Sequence, residues 1–156
     1  MKSSNTQKIE VQTICRDMAK LAPFVVLKVT AALDQCHEIG YNVAMFEGYR
    51  SPSRQQWLYD QGRSRDGKIV TYAKPWESFH QYGLAVDIVG FLNKKWDWNI
   101  DYDKVTAIFK EHGFESLKFE KPHFQITGGM SVQKAEKIAT SQGLLALWSI
   151  IESSLK

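Results

Sequence analysis

The stretch Ser78-Phe-His-Gln-Tyr-Gly-Leu-Ala-Val-Asp87 organises the chain, and the later segment Glu120-Lys-Pro-His123 completes it. The first stretch carries a histidine and an aspartate seven positions apart, and the second carries a glutamate and a histidine three apart. Two histidines and one aspartate can hold a zinc ion and leave a fourth coordination position open. A further carboxylate beside that position can act as a base. The pattern therefore predicts a metal site assembled from two distant segments.

Four residues of these segments are candidates for the site, three as zinc ligands and the last as the base: His80, Asp87, His123 and Glu120. Residues 84–89 are rich in apolar and β-branched side chains and are bounded by glycines, which predicts a strand that carries the aspartate. A second strand, predicted at residues 123–126, places the later histidine beside it. Taken singly, each of the four is more readily explained as an ordinary polar, capping or solvated residue, so the prediction depends on their combination.

Composition indicates one globular domain spanning residues 1–156, with 44% hydrophobic and 24% charged residues. A net charge of +3 is too small to predict a nucleic-acid partner. No apolar run reaches the roughly 18–20 residues of a membrane span, so stable membrane insertion is not expected. Residues 1–10 lack the apolar segment of a signal peptide, which predicts cytoplasmic synthesis. Cys15 and Cys36 are expected to be buried thiols, with one disulfide as the alternative.

Hydrophobic periodicity and turn signals predict an α+β fold with a small, mainly antiparallel sheet and helices packed on it. A polar loop is expected at residues 93–102. The C-terminal apolar stripe is expected to pack on the domain or on a second copy. Helices are predicted at residues 7–19, 23–40, 51–62, 103–113, 131–140 and 143–155, and strands at 42–47, 69–71, 84–89, 114–119 and 123–126.

Three further residues are candidates for contacts with a substrate. Arg50 follows a predicted strand and precedes a helix N-terminus, where a guanidinium could hold a developing oxyanion or a substrate carboxylate. A structural salt bridge is the alternative for this arginine. Ser78 and Gln55 are candidate hydrogen-bonding residues of a substrate cleft. His37 and His112 lie on predicted helices without an acidic partner at metal spacing and are interpreted as surface or capping residues.

Five segments taken in order resemble the zinc peptidases of the D-Ala-D-Ala carboxypeptidase/VanY-like family, and within it the L-alanyl-D-glutamate endopeptidases of phage endolysins. The element Ser-x-His-x6-Asp followed by acid-x-x-His is the most specific part of the resemblance. The pattern departs from many relatives in having Glu at position 120 rather than Asp, and in lacking a Trp-Gly-Gly-x-Trp segment before it. The resembling segments are Phe46–Gln55, Leu58–Arg63, Gly67–Thr71, Ser78–Ile88 and Lys121–Gln125.

The resemblance implies a hedgehog/D-Ala-D-Ala-peptidase-like fold with a motif-bearing core at about residues 43–126 and a C-terminal helical extension at about 130–156. It implies Zn²⁺ held by the three candidate ligands, Glu120 as the catalytic base and Arg50 at the scissile carbonyl or tetrahedral intermediate. Ser78 and Gln55 are implied to line the substrate cleft.

The function implied by the resemblance is hydrolysis of the L-Ala–D-Glu bond in the stem peptide of peptidoglycan by a phage or prophage endolysin. Such an enzyme is expected to be a monomer that reaches the cell wall after holin-dependent release. Two alternatives stay open. One is a D-alanyl-D-alanine carboxypeptidase or dipeptidase that acts on the end of the stem peptide, and the other is a non-catalytic wall-binding module.

Overall fold

The computed structural model describes residues 11–156, and this part of the chain contains five α-helices and five β-strands. The helices are α1 Pro23–Glu38, α2 Pro52–Asp60, α3 Tyr102–Glu111, α4 Val132–Gln142 and α5 Leu144–Ser154. The strands are β1 Val43–Glu47, β2 Ala85–Leu92, β3 Lys95–Asp97, β4 Glu115–Leu117 and β5 Glu120–Gln125. Two short 3-10 helices, Met18–Lys20 and Phe79–Tyr82, complete the set.

The strands form one antiparallel sheet in the order β1-β2-β5-β4, and β3 pairs with the far end of β2. In the centre of this sheet, Asp87 of β2 lies opposite His123 of β5 on one side and opposite Glu47 of β1 on the other. This arrangement confirms the predicted α+β class with a small antiparallel sheet.

Alternation along the central strands divides the sheet into an apolar face and a functional face. Val86 and Ile88 of β2 and Phe124 of β5 are fully buried in the hydrophobic core, together with α1 and α3. The Phe124 ring stacks on Phe109 of α3, with ring centroids 4.5 Å apart. Because side chains alternate between faces, Asp87 points away from this core.

The C-terminal helices pack on the domain, α4 through Ala135 and α5 through Leu147 and Ile151, and all three residues are fully buried. The indole Nε1 of Trp148 donates a 2.7 Å hydrogen bond to the carbonyl of Tyr82. The following residue, Gly83, has φ 68°, and a Cβ at this position would lie 2.7 Å from the Lys20 carbonyl. Only glycine therefore fits this turn without strain, and the C-terminal helices press directly against it.

The structure corrects two local predictions. Residues 69–71 form no strand, and the carbonyls of Lys68 and Thr71 instead accept bonds from the side chains of Gln61 and Arg63. Conversely, strand β3 occupies part of the predicted loop at residues 93–102. Asn93 and Lys94 have φ 53° and 62°, the positive values that a type I′ hairpin turn requires. The lysine at the second turn position, where glycine is usual, explains why the sequence signal is weak.

The predicted helix at residues 7–19 begins outside the described residues. Within them, Val11 and Gln12 are helical, and residues 13–17 are not. Cys15 and Cys36 carry free thiols, the first half-buried and the second fully buried. Across residues 11–156, no helix combines the length and apolar character needed to cross a membrane.

Candidate metal centre and cleft

His80, Asp87 and His123 meet on the functional face of the sheet, with one potential ligand atom from each lying within 4.8 Å of the others. Nε2 of His80 is 3.2 Å from Oδ1 of Asp87, and Nδ1 of His123 is 3.7 Å from the same oxygen. The two imidazoles are almost fully buried, with residue exposures of 1% and 5%. The two distant segments therefore assemble as the sequence pattern predicts.

Local structure fixes each of these three side chains. Asp87 and His123 face one another through the register of β2 and β5. His80 lies in the 3-10 helix Phe79–Tyr82, whose first turn is held by a capping box. In that box, the Ser78 hydroxyl accepts from the backbone N–H of His80, and the Gln81 side chain accepts from the N–H of Ser78. The serine of the motif is thus a helix cap for the histidine two residues later.

Hydrogen bonds on the far side of each imidazole select its tautomer. Nδ1–H of His80 donates to the carbonyl of Gly48 at 2.7 Å, and Nε2–H of His123 donates to Oε1 of Gln125 at 2.7 Å. Since these partners only accept, Nε2 of His80 and Nδ1 of His123 keep their lone pairs facing Asp87. Three lone-pair donors of the His, His, Asp type converging on one point form a set that suits Zn²⁺.

The electrostatics of the triad favour the metal-binding forms of two of its members. Burial and the nearby Arg50 guanidinium lower the pKa of His80, which keeps this imidazole neutral. Burial alone would raise the pKa of Asp87, but His80, His123 and Arg50 hold it well below its usual range. A neutral histidine and an ionised aspartate are the forms that bind a metal. Burial also opposes the charged form of His123, but its hydrogen bond with Asp87 raises the pKa of His123.

Glu120 lies beside the triad without belonging to it. Its Oε2 is 3.9 Å from Nδ1 of His123, and its side chain is 45% exposed and lines the cleft. It begins strand β5, three residues before His123, so the strand sets its distance from the candidate ligands. An accessible carboxylate at this place has the geometry of a general base.

Arg50 is buried beneath the triad and is heavily engaged. Its guanidinium donates to Glu47 through Nε and Nη2, to Asp87 Oδ2 through Nη2 at 3.1 Å, and to Gln55 Oε1 through Nη1. These four bonds to described residues occupy four of its five N–H groups, which leaves one on Nη1. Arg50 also lines the cleft. It therefore combines the predicted salt bridge with one remaining donor near the site.

Glu47 is the buried residue that links this network, and sequence reasoning missed it. Besides Arg50, it accepts bonds from Arg54, whose Nη1 also donates to the carbonyl of Val11. Burial opposes ionisation of Glu47, but Arg50 and Arg54 lower its pKa. A usable signal existed: a carboxylate at a buried position of strand β1, followed by arginines three and seven residues later.

The triad opens into a cleft of about 890 Å³. Ser78 lines this cleft, as expected for a substrate contact. Gln55 is fully buried and is not among the lining residues; its amide binds Arg50 and the carbonyl of Ala73 from behind. Other wall residues come from α2 and the following loop, from the β3 and β4–β5 regions and from the start of α4: Leu58, Val70, Trp98, Leu117, Phe119 and Ser131.

A family model described as "VanY: D-alanyl-D-alanine carboxypeptidase" matches residues 18–132, which include the whole triad, Glu120 and Arg50. The chain belongs to the VanY family. This membership confirms the resemblance found in the five sequence segments and identifies the protein as a peptidase of the VanY type.

Among VanY-related proteins, the chain is 38% identical over 120 residues to the peptidoglycan L-alanyl-D-glutamate endopeptidase CwlK of Bacillus subtilis (strain 168), covering 67% of this chain and 71% of that protein. The fold is similar to the LD-carboxypeptidase LdcB, with a TM-score of 0.53 and 24% identity over 83% of this chain and 68% of that one. It is also similar to the L,D-carboxypeptidase DacB from Streptococcus pneumonia, with a TM-score of 0.54 and 21% identity over 82% and 76% of the two chains.

Proposed function

We propose that this VanY-family protein is a zinc-dependent endopeptidase that cleaves the L-Ala–D-Glu bond in the stem peptide of peptidoglycan. The observation that carries the proposal is the 38% identity to CwlK, described as a peptidoglycan L-alanyl-D-glutamate endopeptidase. The convergence of the three candidate ligands beside Glu120 supports the same reaction type.

His80, Asp87 and His123 would hold the zinc ion through Nε2, Oδ1 and Nδ1. When bound, zinc supplies Lewis acidity that polarises a carbonyl and activates water for attack at neutral pH. Arg50 occupies Oδ2 of Asp87, and this bond keeps Oδ1 turned towards the two imidazoles. The arginine therefore orients a ligand in addition to any contact it makes with substrate.

Glu120 takes the proton from the attacking water and returns it to the amine of D-Glu as the peptide bond breaks. Its exposure in the cleft allows it to reach both positions by side-chain rotation. The remaining Nη1–H of Arg50 stabilises the negative charge that develops on the carbonyl oxygen of L-Ala. Ser78 accepts a bond from the His80 N–H, so its own O–H stays available to donate to a substrate carbonyl.

A second candidate function is D-alanyl-D-alanine carboxypeptidase activity, which is the activity named in the description of the matching family model. A carboxypeptidase has to accommodate the terminal carboxylate of its substrate, and an unpaired cation in the cleft would serve this purpose. Among the described residues that line the cleft, only Arg50 and Arg54 have a lysine or arginine side chain, and both are paired with Glu47. This pairing favours cleavage inside a peptide.

Mass spectrometry of peptidoglycan digested with the zinc-loaded protein tests the proposal. Fragments with a new N-terminal D-Glu are expected, whereas loss of terminal D-Ala alone would establish the carboxypeptidase.

Chelation should abolish cleavage and added Zn²⁺ should restore it. Glu120→Gln should lower kcat by at least about 100-fold, as expected for loss of a general base. The exposed Glu152→Gln is the matched control. Wall binding without cleavage by any of these forms would indicate a wall-binding module instead, and full activity of Glu120→Gln would show that Glu120 is not the base.

We further propose that the protein serves as a phage or prophage endolysin, as a single-domain monomer that acts on the wall after holin-dependent release. The resemblance of its five segments to endolysin endopeptidases supports this role. Expression in a Gram-negative host should cause lysis when a holin is co-produced and not when the protein is produced alone. Wall cleavage in vitro without lysis in the presence of the holin would exclude the endolysin role while leaving the peptidase intact.

A further inference from the structure

Four aromatic side chains, Phe46, Phe91, Trp96 and Trp98, form an aromatic cluster at the β3 end of the sheet. Phe46 meets Trp96 and Trp98 edge to face, with ring centroids 5.1 Å and 4.6 Å apart, and Phe91 packs on Trp96 at 4.4 Å. The guanidinium of Arg16 lies over the rings of Phe46 and Trp96 and donates to the Phe46 carbonyl. Arg16 therefore holds the Phe46 and Trp96 rings of the cluster in place.

Trp98 is the most exposed member of the aromatic cluster, with 51% of its surface accessible. Both Trp98 and Phe46 line the cleft that holds the candidate metal centre. An indole that is half-exposed in a cleft and braced by a neighbouring ring contributes little to the core. It offers a rigid apolar surface to whatever occupies the cleft.

Strand register gives the distance between this surface and the triad. Gly90 of β2 pairs with Asp97, the residue before Trp98, and lies three residues beyond Asp87. At about 3.3 Å per residue, the two positions are roughly 10 Å apart along the strand. Strand β5 runs antiparallel to β2, and His123 lies opposite Asp87. Glu120, three residues before His123, and Gly90, three residues after Asp87, are therefore displaced in the same direction along the sheet. Trp98 therefore stands at the Glu120 end of the cleft.

The chemistry of the substrate places a sugar near the bond to be cut. In peptidoglycan, L-Ala is joined through its amine to the lactyl group of N-acetylmuramic acid, so only one amino acid separates the sugar from the L-Ala–D-Glu bond. An enzyme that cuts this bond in intact wall must accommodate the saccharide next to its reactive centre. Aromatic faces carry partial negative charge and attract the C–H groups of a pyranose ring.

We propose that Trp98, braced by Phe46, forms a saccharide subsite that binds the glycan strand of peptidoglycan beside the scissile bond. The placement of the sugar rests on the proposed L-Ala–D-Glu specificity. The rigid support of the indole means that little side-chain entropy is lost when the glycan stacks on it. The subsite makes the enzyme prefer stem peptides that are still attached to glycan.

The test compares two substrates, a disaccharide-bearing muropeptide and the same stem peptide without sugar. Trp98→Ala should lower kcat/KM about tenfold for the muropeptide, which corresponds to the loss of one stacking contact, and less than about twofold for the free peptide. Trp98→Phe should retain most of the preference. Tyr72→Ala is the matched control, because Tyr72 is 80% exposed and is not among the residues that line the cleft.

A second measurement separates this subsite from the proposed bond specificity. Peptide-free glycan strands should bind the zinc-loaded protein, detected by perturbation of indole N–H signals in NMR spectra, and should not bind Trp98→Ala. Equal losses on both kinetic substrates, or unchanged glycan binding by the variant, would overturn the subsite. If the wild-type protein releases only D-Ala, the bond specificity is wrong, and glycan binding still decides whether Trp98 contacts saccharide.

Discussion

The floor and the rim of the cleft are built on opposite physical principles. The floor, which comprises Glu47, Arg50, Arg54, Gln55 and the three candidate ligands, consists of polar groups almost withdrawn from water and joined by hydrogen bonds. The rim, which comprises Trp98, Phe119 and Glu120, is exposed to solvent; Phe119 is 92% accessible. The carboxylates of Glu47 on the floor and Glu120 on the rim therefore have very different environments, the first buried and the second exposed to solvent.

We relate the buried floor to the reactivity of the site and the exposed rim to its substrate selectivity. On the floor, every charged side chain is paired with another, so the positions of the three candidate ligands are set by the protein itself. On the rim, side chains can change without disturbing folding, so substrate preference can shift while the reaction is retained. The departure at residues 114–119 from the Trp-Gly-Gly-x-Trp segment of many relatives falls at this rim.

The largest effect is expected from removing the central charge of the floor. Glu47→Gln leaves two buried arginines without their shared carboxylate, and loss of one partner of a buried ion pair costs about 3–5 kcal/mol. Denaturant unfolding of the zinc-saturated protein should therefore show a loss of stability of about this size.

Glu120→Gln makes the same chemical change on the rim and serves as the matched control. Because this side chain is substantially exposed, its replacement should alter the free energy of unfolding by no more than about 0.5 kcal/mol. Equal destabilisation by the two variants would show that the contrast between floor and rim is not energetic.

An intermediate effect is expected at Gln125, which holds the outer nitrogen of His123. Gln125→Leu removes the acceptor that fixes the tautomer, and loss of such a partner lowers metal affinity about 10–100-fold. Competition with a chromophoric chelator measures this change. Gln125→Glu retains an acceptor and should preserve the affinity, and Gln133→Leu on α4 is a control within the cleft wall. Unchanged zinc affinity in Gln125→Leu would remove Gln125 from the support of the site.

The sequence predicted the assembly of the triad because metal chemistry tolerates few residue types and the strand pattern around Asp87 is strong. The sequence did not predict the buried side chains that hold the triad in place. Glu47 and Gln125 lie inside segments that resemble the family, yet spacing alone could not show that one is buried between two arginines and the other bonds a histidine. For Gln125, strand alternation was a usable signal, since residues two apart share a face with His123.

The sequence predicted the helices and strands well where the hydrophobic pattern is clear, and less well where the conformation of a few residues determines whether a strand forms. Helix α1 and strand β1 lie close to their expected bounds. Strand β3 depends on an Asn93–Lys94 turn that lacks the usual glycine. Residues 69–71 have β-rich composition, but Ile69 and Val70 are exposed and the segment pairs with no strand of the described residues. Such features are determined by tertiary contacts, which the local sequence does not encode.

The hydrogen bond from Trp148 to the Tyr82 carbonyl connects the last helix of the chain to the turn that carries His80. The motif-bearing core at about residues 43–126 is therefore not an exchangeable cassette. Transplanted alone into another peptidase, it would lose the indole that packs near Gly83 and bonds the turn that follows His80. Engineering of chimaeric peptidases from this chain has to carry the C-terminal helices along with the motifs, because Trp148 lies on α5.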